Sequence, residues 1–217
     1  MVIGICGGSG SGKTTLLNRL AERYSQLNPS IFSLDNYYKP KDEQQKDANG
    51  VINFDLPTAL DQQKLEADLK RLISGEMIEV FEYHFNTSPN RHVLITIEPS
   101  ELIIVEGLFV FEYENVYNQL DFKIFVDVDP SIQLDRRIYR DQESRGYSRE
   151  DILYQWENHV VPCYESYLAP HETKADFIYH NDSRSEKDFI RLTKLIESKH
   201  QIFKNALKEN DSPQSYQ

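Results

Sequence analysis

The hydrophobic positions of this chain fall into short apolar runs separated by longer stretches with helical periodicity. The first run, residues 2–6, reads VIGIC and is typical of a buried strand. Six residues rich in glycine and serine interrupt it, and a helix is predicted from Lys13 onward. The apolar face of that helix is formed by Leu16, Leu17 and Leu20. The chain therefore begins with a strand, a glycine-rich loop and a helix.

The same pattern continues to about residue 207. Further strands are predicted at residues 31–34, 77–81, 93–97, 102–105, 122–128 and 177–179. Further helices are predicted from Thr58, from Ser131 and from Ser148, and over residues 186–207. Because strands alternate with helices, the sequence predicts an α/β fold with a central, mostly parallel sheet covered by helices on both faces.

The length of 217 residues and the 39% hydrophobic content favour one main domain, which we expect to span residues 1–209. Within it, residues 76–98 are predicted to form a small β-hairpin with a substrate loop. Residues 131–170 are predicted to form arginine-bearing lid helices. Residues 210–217 are expected to be a disordered tail.

Composition narrows the possible partners. The formal net charge of −11 argues against general binding of nucleic acid or of an anionic membrane. Cys6 and Cys163 have no paired spacing, which suits a reducing cytoplasm rather than a disulfide framework or a zinc site. Met1 leads directly into the first strand, so we expect neither a signal peptide nor a membrane span.

The loop after the first strand has the spacing Gly7-xxxx-Gly12-Lys13-Thr14, which is typical of a phosphate-binding loop. Glycines let backbone N–H groups approach a triphosphate closely, and the helix N-terminus adds its positive dipole end. Lys13 is expected to reach the outer phosphates, and the Thr14 hydroxyl to bind Mg²⁺. The predicted nucleotide-binding residues of the loop are Gly8, Ser9, Gly10, Ser11, Gly12, Lys13, Thr14 and Thr15.

Four arginines stand close together in this otherwise acidic chain, and three of them share a helix face. They are Arg136, Arg137, Arg140 and Arg145. Planar guanidinium groups stabilise the charge on a phosphoryl group in transfer. The alternative is a solvated helix, in which Asp141 and Glu143 supply local ion-pair partners. We favour phosphate binding because Gly146 ends the cluster like the tip of a hinged lid.

Two acids and several aromatic residues complete the candidate site. Asp35 and Glu106 each follow an apolar strand, and ligands bind at the carboxyl ends of parallel strands. Two carboxylates there could hold a metal and accept a proton, although each alone could simply cap a turn. Flat side chains suited to holding a ring, or to plain packing, are Tyr37, Tyr38, Tyr83 and Phe85.

Five motifs resemble, in order and spacing, those of the uridine (uridine–cytidine) kinase family, and the likeness covers about the first 180 residues. They are GGSGSGKTT at residues 7–15, LDNYYK at 34–39, NFDLPTALD at 53–61, VEGLFVF at 105–111 and DRRIYRDQESRG at 135–146. The resemblance implies a P-loop NTPase fold of the nucleoside-monophosphate-kinase-like kind. It also implies transfer of the γ-phosphate of ATP or GTP to the 5′-hydroxyl of uridine or cytidine, giving UMP or CMP.

The resemblance further implies a role for each matching residue. Asp35 would be the general base, Asp55 would bind the ribose 2′- and 3′-hydroxyls, and Lys13, Arg140 and Arg145 would act on the phosphates. The Mg²⁺ ligands would be Thr14, Asp35 and Glu106. The remaining substrate residues would be Tyr38, Tyr83, Phe85, Arg91, Arg137 and Gln155. A homo-oligomer, either dimer or tetramer, is also implied.

Two departures from the family pattern leave the identity of the phosphate acceptor open. The family's histidine directed at the base edge is not matched, and its nearest equivalents are Thr87 and Ser88. The lid reads Arg145-Gly146-Tyr147, where an arginine often follows the glycine. The alternatives are a phosphoribulokinase-like or pantothenate-kinase-like enzyme, and a nucleotide-binding protein without transfer activity.

Overall fold

The computed structural model describes residues 1–83 and 93–199, which contain seven strands. They are β1 (Val2–Gly7), β2 (Ser30–Ser33), β3 (Ile78–Phe81), β4 (Leu94–Ile97), β5 (Ile103–Glu106), β6 (Phe122–Asp127) and β7 (Phe177–His180). Five of them form a parallel sheet in the order β2-β5-β1-β6-β7. The predicted α/β fold with a central parallel sheet is confirmed.

Strand β1 lies at the centre of this sheet, and all six of its residues are buried. Successive side chains of a strand point to opposite faces, and here each face packs into its own hydrophobic cluster. Ile3 and Ile5 pack with the apolar face of the first helix, whereas Val2 and Cys6 belong to the cluster on the other face. Burial on both faces explains why β1 is a continuous apolar run rather than an alternating one.

Helices cover both faces of the sheet. They are α1 (Lys13–Arg23), α2 (Gln62–Ile73), α3 (Glu114–Tyr117), α4 (Pro130–Arg145), α5 (Arg149–Gln155), α6 (Val161–Cys163) and α7 (Ser185–Lys199). Buried leucines of α1 and α7 share one cluster, and those of α2 belong to the other. No helix of the described residues is long and apolar enough to cross a bilayer.

The predicted hairpin is present as a separate antiparallel pair, β3 with β4. Ile78 pairs with Ile97, and Phe81 pairs with Leu94. Ile78, Val80 and Ile97 are buried in the main core, so one face of the hairpin is anchored to the domain. The predicted substrate residues Phe85 and Arg91 lie between these strands, outside the described residues, as do Thr87 and Ser88.

The segment predicted to form the lid is mostly helical, with a break at residues 146–148. Helix α4 starts after Asp129, whose carboxylate accepts a hydrogen bond from Ser131 N at 2.8 Å, and it ends at Gly146 with a φ of 70°. Ser148 then caps α5 by accepting from Asp151 N at 3.0 Å. Beyond α5 the chain continues through wider π-helical turns at Trp156–Val160 and Tyr164–Leu168, on either side of α6.

The structure bears on the bounds of two predicted helices. The prediction that a helix starts at Thr58 is wrong, because Pro57–Ala59 form a separate 3-10 turn. Asp61 N donates to Tyr37 O at 2.8 Å, and the Asp61 side chain caps α2 by accepting from Lys64 N. The helix predicted to end at residue 207 is described as far as Lys199. Its last part and the predicted tail lie outside the described residues.

Candidate active site

The candidate site lies at the carboxyl edge of the parallel sheet. The glycine-rich loop follows β1, Asp35 follows β2 within a 3-10 turn, and Glu106 ends β5. These three segments open onto one cleft of about 310 Å³. The predicted site residues that line it are Ser9, Gly10, Gly12, Lys13, Thr14, Thr15, Asp35, Tyr38, Asp55, Glu106, Arg137, Arg140, Arg145 and Gln155.

The glycine-rich loop has the backbone that a phosphate-binding loop requires. Gly10 and Gly12 have φ values of 79° and 96°, a region that other L-residues rarely adopt. A side chain at Gly10 would also lie 2.6 Å from the backbone oxygen of Gln133 on α4. Gly12 precedes α1 and no described side chain caps that helix, so its N-terminal N–H groups can bind an anion.

The side chains of Arg136 and Asn181 donate hydrogen bonds to backbone oxygens of this loop. Arg136 donates to Gly10 O at 3.4 Å, to Ser11 O at 3.3 Å and to Asn181 O at 3.1 Å. The Asn181 side chain donates to Ser11 O at 2.7 Å. Sequence reasoning gave Asn181 no role, although its position directly after β7 was a usable signal.

Arg137 connects the phosphate loop with the predicted acceptor side. Its guanidinium donates to Ser9 Oγ at 2.9 Å and to Gln155 Oε1 at 3.0 Å, and lies 3.8 Å from Asp55 Oδ1. Arg137 is only 5% exposed, so these polar partners replace the water it would otherwise bind. Asp55, Arg137 and Gln155 thus form one connected wall of the cleft.

Asp141 is the buried anion around which the arginines are arranged. Its carboxylate lies 2.7 Å from Arg140 Nε, 3.4 Å from Arg145 Nε and 3.3 Å from Arg137 Nε, and the last contact lacks hydrogen-bond geometry. The two interpretations of the arginine cluster are therefore not exclusive. Asp141 pairs with three arginines, and the same arginines line the cleft.

The two strand-end acids share one environment. Ser33 Oγ donates to Glu106 Oε1 at 2.8 Å and accepts from Asp35 N at 3.3 Å. Burial, and then the charge of Asp35, raise the pKa of Glu106 to about 7. Burial also raises the pKa of Asp35, against the opposing charges of Lys13, Arg145 and Arg140.

This pair of oxygen ligands suits Mg²⁺, which prefers carboxylates and hydroxyls. The repulsion between two buried acids is what a divalent cation would relieve. Thr14 lines the same cleft, and its hydroxyl is a third candidate ligand. Within residues 1–83 and 93–199, no group of three or more His, Cys, Asp and Glu side chains could hold a metal.

Aromatic side chains also contribute to the cleft. Tyr38 packs against Tyr83 with ring centroids 5.2 Å apart, and against Phe54 at 5.9 Å. Tyr38 and Phe54 line the cleft. Tyr37 does not, because it is buried, stacks on Phe32 and donates to Asp68 at 3.2 Å. Of the aromatic residues singled out, Tyr37 therefore belongs to the core.

Sequence reasoning missed several residues of the cleft. They are Ile52, Phe54, Leu108, Tyr147 and His159, of which Tyr147 was noticed without a role. Arg136, predicted as a member of the arginine cluster, lines the cleft as well. Phe54 stands beside Asp55 in the motif NFD, which was a usable signal. His159 was not, because an isolated histidine in a helical segment is usually structural.

A phosphate loop at the carboxyl edge of a parallel sheet, facing two acids and a set of arginines, defines the class of P-loop phosphotransferases. Comparison with known proteins narrows this class. The Phosphoribulokinase / Uridine kinase family matches residues 2–186, and the chain belongs to that family.

Curated relatives cover almost the whole chain. A uridine kinase of Lactobacillus helveticus is 34% identical over 199 residues, which is 91% of this chain and 94% of that protein. Uridine-cytidine kinase B of Dictyostelium discoideum is 34% identical over 177 residues, which is 82% of this chain and 73% of that protein.

Solved structures agree on the fold. A protein described as a possible uridine kinase from Bacillus stearothermophilus matches with a TM-score of 0.54 at 20% identity, covering 82% of this chain and 87% of its own. Phosphoribulokinase from Rhodobacter spheroides matches with a TM-score of 0.58 at 16% identity, covering 82% and 69%. At these sequence identities, the similarity supports a shared fold and nothing more.

Proposed function

We propose that this protein is a nucleoside kinase that transfers the γ-phosphate of ATP to the 5′-hydroxyl of uridine or cytidine, giving UMP or CMP. The main support is the likeness to curated uridine kinases over most of the chain, at 34% identity. A cleft that holds both a phosphate loop and Asp55 agrees with it. The relatives favour a nucleoside over ribulose phosphate or pantothenate as the acceptor.

Asp35 is the proposed general base, because it lies at the strand edge in the same cleft as Lys13. It would accept the proton of the attacking 5′-hydroxyl as the new P–O bond forms and the bond to the leaving ADP breaks. Lys13, Arg140 and Arg145 would stabilise the negative charge on the phosphoryl oxygens. The backbone of residues 8–15 would bind the remaining phosphates.

Magnesium is proposed as a cofactor held by Thr14, Asp35 and Glu106. When bound, Mg²⁺ would neutralise charge on the β- and γ-phosphate oxygens. The chain's own contribution includes Ser33, whose hydroxyl donates to the Glu106 carboxylate and accepts from the backbone N–H of Asp35.

GTP as an alternative phosphate donor stays a prediction, as do the cytoplasmic location and the dimer or tetramer.

On the acceptor side, Asp55 would accept hydrogen bonds from the ribose 2′- and 3′-hydroxyls. Arg137 and Gln155, which bond each other at 3.0 Å, would contact the nucleoside from the same wall. Tyr38, which lines the cleft, would pack on it. Tyr83 does not line the cleft but contacts the ring of Tyr38 at 5.2 Å, and its contact with the nucleoside stays a prediction. Phe85 and Arg91 stay predictions from the resemblance, since they lie outside the described residues.

An acceptor screen tests the proposal directly. We expect ATP consumption with uridine or cytidine, at a kcat/KM at least about a hundredfold above that with ribulose 5-phosphate or pantothenate. The reason is that only the nucleosides present the ribose hydroxyls that Asp55 is proposed to bind. The measurement is coupled ADP release, with mass spectrometry of the product. Phosphorylation of ribulose 5-phosphate, or ATP binding without any transfer, would contradict the proposal.

Replacing Asp55 tests the proposed ribose contact. We expect Asp55→Asn to raise the KM for uridine by at least about tenfold, because hydrogen bonds to a charged group are lost. The preference for uridine over 2′-deoxyuridine should fall, and the KM for ATP should stay within about twofold. Asp135→Asn, an exposed acid on α4, is the control. An unchanged KM for uridine would remove Asp55 from this role.

A further inference from the structure

The segment between the 3-10 turn that carries Asp35 and the cleft residue Asp55 is organised by one carboxylate. Asp47 Oδ1 accepts hydrogen bonds from Asn49 N and Val51 N, both at 2.9 Å. Asp47 also pairs with Val51 and Gly50 through its own backbone, at 2.8 and 3.0 Å. One oxygen of the Asp47 side chain therefore folds residues 47–51 into a compact turn.

The other oxygen of Asp47 attaches this turn to the lid. Asp47 Oδ2 accepts from Tyr154 Oη at 2.6 Å and contacts His159 Nε2 at 2.8 Å. Asn49 Nδ2 also donates to Tyr154 Oη at 2.7 Å. Tyr154 lies in α5 and His159 in the π-helical turn that follows it. We name the group Asp47, Tyr154 and His159 the outer strut.

The chemistry of the outer strut fixes the ring of His159. The hydrogen bond from Tyr154, followed by that from His159, holds the pKa of the Asp47 carboxyl below its usual range, so Asp47 is an acceptor. His159 Nε2 must therefore carry the hydrogen. His159 is 2% exposed, and its Nδ1 has no hydrogen-bond partner within the described residues. The contact with Asp47 is thus the polar contact that sets the ring's orientation.

A second connection between the same two segments runs through the cleft. Asp55 lies 3.8 Å from Arg137, and Arg137 donates to Gln155, which is the neighbour of Tyr154. The loop of residues 47–55 and the helical segment of residues 154–159 are therefore joined twice. One connection lies at the cleft wall, and the other is the outer strut. Between the two connections, Ile52 and Phe54 line the cleft.

The two connections differ in what a ligand can do to them. A nucleoside that binds Asp55 and Gln155 competes with Arg137 for the same polar atoms. Asp47 and Tyr154 do not line the cleft, whereas His159, the third member of the strut, does. A ligand in the cleft therefore has no direct competition with the contact between Asp47 and Tyr154. Both connections include charge-assisted hydrogen bonds, and the contacts of the strut measure 2.6 and 2.8 Å.

We propose that the outer strut is a positioning device for the acceptor site: it holds the loop that carries Phe54 and Asp55 at a fixed separation from Gln155, so that both can contact the same nucleoside. This inference rests on the proposed nucleoside kinase function. Asp47 and Tyr154 act through other residues rather than on the substrate. Preorganisation of this kind lowers KM, because the loop is ordered before the ligand arrives.

The test removes the strut while leaving the turn at Asp47 intact. In the double variant Tyr154→Phe/His159→Leu we expect the KM for uridine to rise about tenfold. Because His159 also lines the cleft, Tyr154→Phe alone, at a residue that does not line it, must raise this KM as well. The KM for ATP and the kcat should stay within about twofold, because the phosphate loop and Asp35 are not touched. Backbone amide exchange in residues 44–53 should become faster, as measured by mass spectrometry.

Conservative and control variants separate positioning from general damage. The single variant His159→Gln keeps an N–H that can donate to Asp47. Its KM for uridine should therefore stay within about twofold of the wild-type value. Tyr154→Phe alone, which deletes one hydroxyl, keeps the test available should the double variant not fold, and should raise this KM about threefold. Tyr139→Phe, at a tyrosine of α4 that is 73% exposed, should change nothing.

Two results would overturn the inference. Faster loop exchange with an unchanged KM for uridine would mean that the strut only stabilises the loop. Equal rises in the KM for ATP and for uridine would mean a general structural effect. These results differ from failure of the proposed function, in which the wild-type protein itself phosphorylates no nucleoside.

Discussion

Replacing Asp35 with asparagine is expected to lower kcat by at least about a hundredfold, because a general base typically contributes that much or more. Asparagine keeps the size and hydrogen-bonding reach of the side chain but cannot accept the proton of the attacking hydroxyl. ATP binding should be largely intact, since the phosphate loop and Lys13 supply the main phosphate contacts. The measurement is steady-state kinetics with uridine, together with binding of a fluorescent ATP analogue.

Asp42→Asn is the matched control for this variant. Asp42 is an exposed acid on the loop after the same strand, and it does not line the cleft. Its replacement should leave kcat within about twofold. Unchanged turnover in Asp35→Asn would remove Asp35 from the role of base. A loss of ATP affinity as large as the loss of kcat would instead assign Asp35 mainly to the metal.

The sequence predicted most accurately what is encoded locally. The glycine-rich loop could be predicted because its spacing, the strand before it and the helix after it are all adjacent in the chain. The positions of Asp35 and Glu106 followed from one topological rule, that ligands bind where parallel strands end. Helix α5 was predicted close to its true start because Ser148 is a local cap.

The sequence predicted least well what depends on distant contacts. The start of α2 was misplaced because the backbone of Asp61 bonds Tyr37, on another segment of the chain. Tyr37 looked like a candidate for the ligand pocket, but Asp68 and Phe32 hold it in the core. The contact of Asp47 with His159 spans more than a hundred positions, and neither residue belongs to a motif.

The arginine cluster illustrates the same limit. Spacing on α4 could show that these arginines share a helix face, but it could not show that Asp141 is buried beneath them. An acid three or four positions from several arginines usually lies on a solvated surface. Only the packing of α4 against the phosphate loop and α5 turns that local pattern into a buried charge cluster.

That cluster leads to the second prediction with a large effect. Asp141→Asn should lower the free energy of unfolding by about 3 kcal/mol, because removing one partner of a buried ion pair leaves the other charge uncompensated. Arg137 is the main source of this cost, since it is buried, whereas Arg140 is partly exposed and less affected. The measurement is urea denaturation at pH 7, with the KM for ATP expected to rise as Arg140 and Arg145 lose their alignment.

Two further variants decide whether the cost comes from the buried charge. Glu143→Gln changes an exposed acid on the same helix and should alter stability by less than about 0.5 kcal/mol. The double variant Arg137→Met/Asp141→Leu removes both buried charges and should be more stable than Asp141→Asn, because apolar replacement of a buried pair is often neutral. If Asp141→Asn cost less than about 1 kcal/mol, or if the double variant were the less stable of the two, the arginines would not depend on Asp141. Their alignment in the cleft would then have to come from the contacts with Ser9 and Gln155 instead.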